Sequence, residues 1–244
     1  MSDPHPLLEL KDISYHYPNQ PPIIEQCSFS VDTGKTGLIG ANGCGKTTLL
    51  QLMVGLLKPQ AGMILFHGKE VKGRKDYRLL RKSVGFLFQN SDDQLFSPTV
   101  IEDIAFGPLN LGHSPEEARE LASEVLAELG LTDFEDRVTH RLSGGEKKLI
   151  ALATILVMKP RLLLLDEPTN NLDPRTRNQL VEILKELNLA QIIISHDWDF
   201  LENTTETLFT IEHGHLHRCS DSFVHAHKHV HVYGDKPHHH AHNG

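Results

Sequence analysis

The stretch GANGCGKT, residues 40–47, places three glycines, a lysine and a threonine in the order G-x-x-x-x-G-K-[ST]. Gly40, Gly43 and Gly45 let the backbone fold so that several N–H groups point inward at one anion. A helix starting directly after them adds the positive end of its dipole. Lys46 then suits the β- and γ-phosphates of a nucleotide, and the Thr47 hydroxyl suits Mg²⁺. Asn42, Cys44 and Thr48 fill out the loop and its exit, and Cys44 sits at a variable position that asks only for a small side chain. A chance glycine-rich turn is the competing explanation. The apolar KTGLIG before the loop and the helical TTLLQLMVGLL after it argue against that.

Two further groups could act on the same ligand. LLLLDEP, 162–168, ends an apolar run in two acids. Asp166 would hold Mg²⁺ through its water shell, and Glu167 would orient or deprotonate an attacking water. LSGGE, 142–146, opens a helix whose body is KKLIALATIL. Ser143 can cap it, and Gly144 and Gly145 bare backbone N–H groups at its positive end. One nucleotide does not need two phosphate sites in one chain. The economical reading is that the second serves a nucleotide held by another copy, so that ATP is sandwiched between two chains.

These groups need elements to hold them. The start is β-rich: LLELKDISYHY and IIEQCSFSVD flank the turn PNQPP. KTGLIG, MILFHG and VGFLFQ read as strands, and 98–158 turns helical. Ser114, Pro115 and Glu117 mark a helix start, and an amphipathic helix is expected over Ser97–Phe106, with Val100, Ile101, Ile104 and Ala105 inward. RLLLLDEP is apolar on both faces, as in the middle of a parallel sheet. A helix from Pro174, a strand QIIISHD and a hairpin turning at His213-Gly214 follow. Strands alternating with helices predict an α/β sheet with a β-rich start and a helical insertion.

Composition bounds the rest. The 244 residues suffice for one sizeable core, with 39% apolar and 23% charged residues. A net charge of −8 argues against a broad nucleic-acid footprint. Cys27, Cys44 and Cys219 form neither a zinc pattern nor a disulfide framework, which suits a reducing compartment. The N-terminus lacks the pattern of a signal peptide. The longest apolar run, LIALATILVM, is too short to cross a bilayer that needs about 20 residues. A soluble, cytoplasmic chain is expected, working at a membrane only through a partner.

Together the motifs resemble the ATP-binding-cassette (ABC) ATPases, from about residue 7 to 218. The resemblance implies a P-loop NTPase core with a mostly parallel sheet, an N-terminal antiparallel β subdomain and an α-helical subdomain at about 90–158. It implies ATP and Mg²⁺ as ligands and a dimer, expected to be a homodimer. It also implies roles for single residues. Tyr17, 23 residues before Gly40, matches the aromatic that stacks on adenine, with Tyr15 the weaker candidate. Gln89 matches the glutamine that senses Mg²⁺ and contacts a membrane partner. Asn171-Leu172-Asp173 matches the loop that crosses the dimer interface, and His196 the histidine at the γ-phosphate. Two positions depart from the pattern. Glu146 stands where glutamine is common, and Leu149 where many members carry arginine.

QNSDDQLFSPTVIEDIAFGPLNLG, 89–112, narrows the resemblance to the ATPase subunits of energy-coupling-factor importers, above all the cobalt and nickel branch. That implies a transmembrane scaffold and a substrate-binding membrane subunit as partners, no nucleic acid, and a place on the cytoplasmic face of the membrane. A vitamin importer, or a soluble ABC ATPase not tied to transport, is the alternative. Eleven of the 17 histidines lie at or after His213. In an extended chain His225, His227, His229 and His231 share one face and could bind Ni²⁺ or Co²⁺, so residues 219–244 are read as a metal-binding tail. A solvating low-complexity tail is the competing explanation.

Overall fold

The computed structural model describes residues 5–219. The strands, in chain order, are β1 (Leu8–His16), β2 (Pro22–Val31), β3 (Lys35–Ile39), β4 (Ala61–Phe66), β5 (Lys69–Glu70), β6 (Val84–Leu87), β7 (Leu162–Asp166), β8 (Ala190–Ile194), β9 (Thr207–Glu212) and β10 (His215–Arg218). The helices are α1 (Lys46–Met53), α2 (Arg74–Ser83), α3 (Val100–Leu111), α4 (Pro115–Glu128), α5 (Gly144–Leu156), α6 (Pro174–Glu186) and α7 (Trp198–Thr204). One sheet is antiparallel, in the order β2-β1-β4-β5. The other runs β10-β9-β3-β8-β7-β6 and is parallel except where β9 meets β10.

Side chains on a strand alternate between faces, so a central strand with helices on one side and a second sheet on the other must be apolar throughout. β7 obeys this with four consecutive leucines. Leu162 and Leu164 join Leu38, Ile192 and Ile194 in a core shared with Leu8, Leu10 and Ile13 of β1 and with Leu49, Leu50, Leu52 and Met53 of α1. Leu163 and Leu165 join Ile39 and Ile193 in a second core, closed by Ile104 of α3, Leu126 of α4, Ile150 and Leu152 of α5 and Leu180 of α6. Each fully buried leucine contributes about 1.5–3 kcal/mol of transfer free energy. The sheet is therefore clamped from both sides, and the loops at the C-terminal ends of its strands are held by two cores.

The helical region agrees with expectation in position and differs in detail. The predicted inward residues Val100, Ile101, Ile104 and Ala105 are all buried. The helix itself begins at Val100 rather than Ser97 and ends at Leu111 rather than Phe106. Thr99 caps it, with the Glu102 carboxylate accepting from the Thr99 N–H at 3.1 Å. The buried Asp103 carboxylate accepts from the N–H groups of Phe96 and Ser97, which holds those two residues outside the helix. Gly107-Pro108 does not end the helix; it runs on to Gly112, whose φ of +97° is the left-handed stop. Ser114 and Glu117 form the expected capping box at the start of α4.

α2 and α7 are additions to the expected elements. α2 buries only Leu80, and its Arg81 donates to the carbonyls of Val54 and Gly55, closing the end of α1. The hairpin ladder also runs one residue past the expected boundary at 218, because the Cys219 N–H donates to Leu208 O at 2.9 Å.

Candidate nucleotide site

The strands β3 and β7 deliver the phosphate loop and the paired acids to the same end of the sheet. There they line a cavity of about 410 Å³ with Asn42, Gly43, Gly45, Lys46, Thr47 and Thr48 on one side. Gln89, Asp166, Glu167 and His196 close the other. These residues lie far apart in the chain, and the parallel sheet brings their four segments together. Ile23, Asn170 and Ile194 also line it and were not singled out from the sequence.

The loop has the geometry its glycines predict. Gly40 adopts φ +143°, and a Cβ there would lie 2.8 Å from Cys44 Sγ and 3.1 Å from Ile211 O. That crowding leaves position 40 no room for a side chain. Gly40 and Cys44 face a neighbouring pocket with His213 rather than the phosphate cavity. The Lys46 ammonium is buried and donates to Gly40 O at 2.7 Å and Ala41 O at 3.0 Å. Its hydrogen bonds go to carbonyls rather than carboxylates, and the ammonium charge favours an anion beside it.

The acids differ in surroundings. Burial pushes the Asp166 carboxyl up, opposed by a hydrogen bond from Thr47 and by the charges of Lys46 and Lys148. Its Oδ1 is buried without a hydrogen-bond partner among the described residues. A buried carboxylate oxygen beside a threonine hydroxyl and Gln89 is an all-oxygen donor set that fits Mg²⁺. Glu167 has a left-handed backbone, φ +46°, which turns the chain sharply off β7. Burial pushes its carboxyl up as well, opposed first by His196. Glu167 Oε2 accepts from the His196 N–H at 3.3 Å. His196 Nε2 lies 3.2 Å from Oε1 as an ion-pair contact without the geometry of a hydrogen bond, and among the described residues Oε1 has no hydrogen-bond partner. A carboxylate with one oxygen anchored and the other unbonded can take a proton from water.

The remaining predicted residues lie around this cavity. Tyr17 is half-buried beside it, its hydroxyl 3.1 Å from Thr48 Oγ1. Tyr15 is buried edge-on against Tyr17, which removes it as an exposed stacking face. Asp173 caps α6. Ser143, Gly144 and Gly145 do not line the cavity. Ser143 and Gly144 sit exposed at the tip of α5, and a Cβ on Gly144 would meet nothing within 4 Å. Gly145 has a separate reason to be glycine: its Cβ would lie 3.0 Å from Thr176 on α6.

Both departures in the signature segment have a structural account. The Glu146 carboxylate accepts from the Ser143 N–H at 2.8 Å and from Arg137 at 3.0 Å, completing a capping box that a charge strengthens. With Leu149 buried in the core, the neighbouring Lys148 takes the polar role. This residue is 3% exposed, and its ammonium donates to Gln89 O at 2.6 Å and Phe88 O at 3.1 Å, tying α5 to the segment that carries Gln89. Burial pulls this lysine down to about 8.

Fold and site together define a nucleotide-hydrolysing cassette. The chain belongs to the ABC transporter family, whose pattern matches residues 24–170, and it is an ATP-hydrolysing transport ATPase. It is 49% identical over 243 residues, 98% of this chain and 88% of the relative, to a protein of Nitratidesulfovibrio vulgaris provisionally named an ABC transporter ATP-binding protein. It is 44% identical over 215 residues, 86% of this chain and 69% of the relative, to the energy-coupling factor transporter ATP-binding protein EcfA of Methanothermobacter thermautotrophicus. The solved structure of cbiO1 from Clostridium perfringens, part of the ABC transporter complex cbiONQ, superimposes with a TM-score of 0.80 at 36% identity, covering 93% of each chain.

Among the described residues no helix is long and apolar enough to cross a membrane, and no group of three or more His, Cys, Asp or Glu is placed to hold a metal ion. His225, His227, His229 and His231 lie outside the described residues.

Proposed function

We propose that this chain is the ATP-binding and ATP-hydrolysing subunit of an energy-coupling-factor importer, with nickel or cobalt ions as cargo. It works as a dimer, most simply a homodimer, on the cytoplasmic face of the membrane, bound to a transmembrane scaffold and a substrate-binding subunit. The observation that carries this reading is a division of parts. Lys46, Thr47, Gln89, Asp166, Glu167 and His196 converge on one cavity, while the glycine-bearing tip of α5 stands outside it. A second copy is the natural source of the missing tip.

Within that reading, loop N–H groups and Lys46 hold the phosphates, and Tyr17 packs on the base. Asn42, Gly43, Gly45 and Thr48 shape the cradle. Thr47, Gln89 and Asp166 would hold Mg²⁺, which when bound neutralises charge on the outer phosphates. Glu167 takes the proton of the attacking water, and His196 faces the γ-phosphate. Ser143, Gly144 and Gly145 cover the partner's nucleotide, with Asp173 at the seam. Phe96 and Phe106 are exposed and packed edge-on, 4.7 Å apart, just beyond Gln89. Such a pair suits a membrane partner.

The cargo assignment is supported by the 89–112 stretch, by the likeness to cbiO1 and by imidazole chemistry in the tail. Co-expression with a transmembrane scaffold and a substrate-binding subunit of an energy-coupling-factor importer, followed by uptake of labelled Ni²⁺ or Co²⁺, is the decisive assay. Uptake of a vitamin instead overturns the cargo. Removing 220–244 is expected to lower metal bound per chain with basal ATP hydrolysis nearly intact; Cys219 is kept because it belongs to the ladder. Glu167→Gln is expected to trap an ATP-bound dimer, read by size-exclusion chromatography. Normal turnover in that variant places the water-activating residue elsewhere.

A further inference from the structure

Arg177 lies in the first turns of α6, four residues after Asp173. Its Nε donates to Asp197 Oδ2 at 2.7 Å, and its Nη2 donates to Asp197 Oδ1 at 3.0 Å and Asp199 Oδ2 at 2.7 Å. The Arg177 and Asp197 side chains are 23% and 30% exposed, so the pair is partly shielded from water. Two parallel N–H···O bonds fix the plane of the carboxylate as well as its distance.

Asp197 directly follows His196. Its Oδ1 also accepts from the Phe200 N–H at 3.0 Å, and its own N–H donates to Ser195 Oγ at 3.0 Å. The His196 N–H in turn points at Glu167 Oε2. The backbone carrying the imidazole is thereby held on both sides, and Arg177 joins it to α6. At the other end, α6 is tied to the Asn171-Leu172-Asp173 turn. The Asp173 carboxylate accepts from the N–H groups of Arg175 and Thr176 and from the Thr176 hydroxyl at 2.6 Å, and the Arg177 N–H donates to Asp173 O. One short chain of bonds runs from that turn, through Arg177, to His196.

We propose that Arg177 is a positioning residue for hydrolysis: its fork on Asp197 sets His196 against Glu167 and passes the placement of the 171–173 turn to that pair. The proposal rests on the reading of Glu167 and His196 as the hydrolytic pair. A plain staple between α6 and α7 is the rival account, and it predicts lost stability without selective loss of turnover.

The test uses the full chain and steady-state ATP hydrolysis for wild type, Arg177→Met, His196→Ala and the double variant. Arg177→Met is expected to lower kcat on the order of ten-fold with KM for ATP within about two-fold of wild type. Arg177→Lys, which keeps the charge and loses the fork, is expected to recover only part of it. In the His196→Ala background, Arg177→Met is expected to change kcat by less than about two-fold, because a residue acting through His196 has nothing left to position. Multiplying losses in the double variant, or wild-type kcat in Arg177→Met, overturns the proposal. Should Arg177→Met fail to fold, Arg177→Gln carries the same comparison. If His196→Ala alone turns over like wild type, the underlying site assignment fails as well, which separates the two failures.

Discussion

At the scale of single residues, the site is a set of groups kept at odds with their surroundings. Lys46 is buried against two carbonyls, Asp166 has an unbonded oxygen, and Glu167 is held in a left-handed backbone. In the proposed reading, each departure from an ordinary environment is relieved by a piece of Mg-ATP or by water. Glu146 shows the opposite case, an acid made comfortable. The Ser143 N–H holds its carboxyl below the usual carboxylate range, helped by the Ser143 hydroxyl and by Arg137. A lowered acid contributes stability above its ordinary pKa and loses it as pH falls through the lowered value. Glu146→Ala is therefore expected to destabilise the protein by about 1 kcal/mol at pH 7, with the difference from wild type shrinking below about pH 4. Chemical denaturation at both pH values checks this; an unchanged difference removes the carboxylate from the cap. Cys27 is buried and its thiol is pushed up to about 11. A thiol reagent at pH 8 is expected to label it only after denaturation, read by mass spectrometry of the intact chain.

At the scale of elements, α5 and the segment following Gln89 behave as one piece. Lys148 holds the carbonyls of Phe88 and Gln89. Lys147 pairs with Asp92 at 2.6 Å. The Gln94 side chain donates to Ala151 O and Thr154 Oγ1 while accepting from the Phe88 N–H. Any tilt of α5 must therefore move Gln89. Lys148→Met is expected to destabilise by about 1–3 kcal/mol, the penalty of buried carbonyls left unpaired, and to raise the Mg²⁺ concentration for half-maximal hydrolysis. Lys148→Met with wild-type Mg²⁺ dependence dissolves that link. None of this stitching was legible in the sequence. KK in an amphipathic helix reads as surface, and burial of one lysine is decided by which way the helix lies. The phosphate loop, β7, β8 and the α4 cap were legible because local chemistry dictates them: glycine spacing, a continuous apolar run, S-P-x-E. α2 was missed because it offers one buried leucine and no apolar stripe, and α7 because seven residues are too few to show a period.

At the scale of the molecule, the cavity is assembled from segments far apart in the chain, and the exposed tip of α5 completes no site within the protomer. Gly144 is the discriminating position because a side chain there has open space. Gly144→Asp is expected to leave the melting temperature within about 2 °C of wild type, as for a surface change. In the Glu167→Gln background it is expected to abolish the ATP-dependent dimer, since it sets a negative charge where a second copy's phosphates would lie. A dimer that persists in that double variant removes the α5 tip from the interface. The alternation of strands and helices pointed to an α/β sheet with a β-rich start, and the family resemblance to a separate antiparallel subdomain, yet the pairing order β9-β3-β8-β7-β6 followed from neither. Parallel pairing is set by how crossover helices pack, which sequence spacing alone does not record.

The four leucines of β7 have a consequence of their own. Because Leu162 to Leu165 are the same residue, sliding the strand by one position would exchange its two faces without exposing anything oily to water. Hydrophobic matching is thus blind to alignment here, and the polar bookends must supply it. Arg161 does so at one end, its N–H on Ser83 O and its side chain on His67. At the other end the Glu167 N–H is fastened to Ile194 O. The residues proposed to perform chemistry at the strand's tip are thus also the ones that tell the strand where to stop.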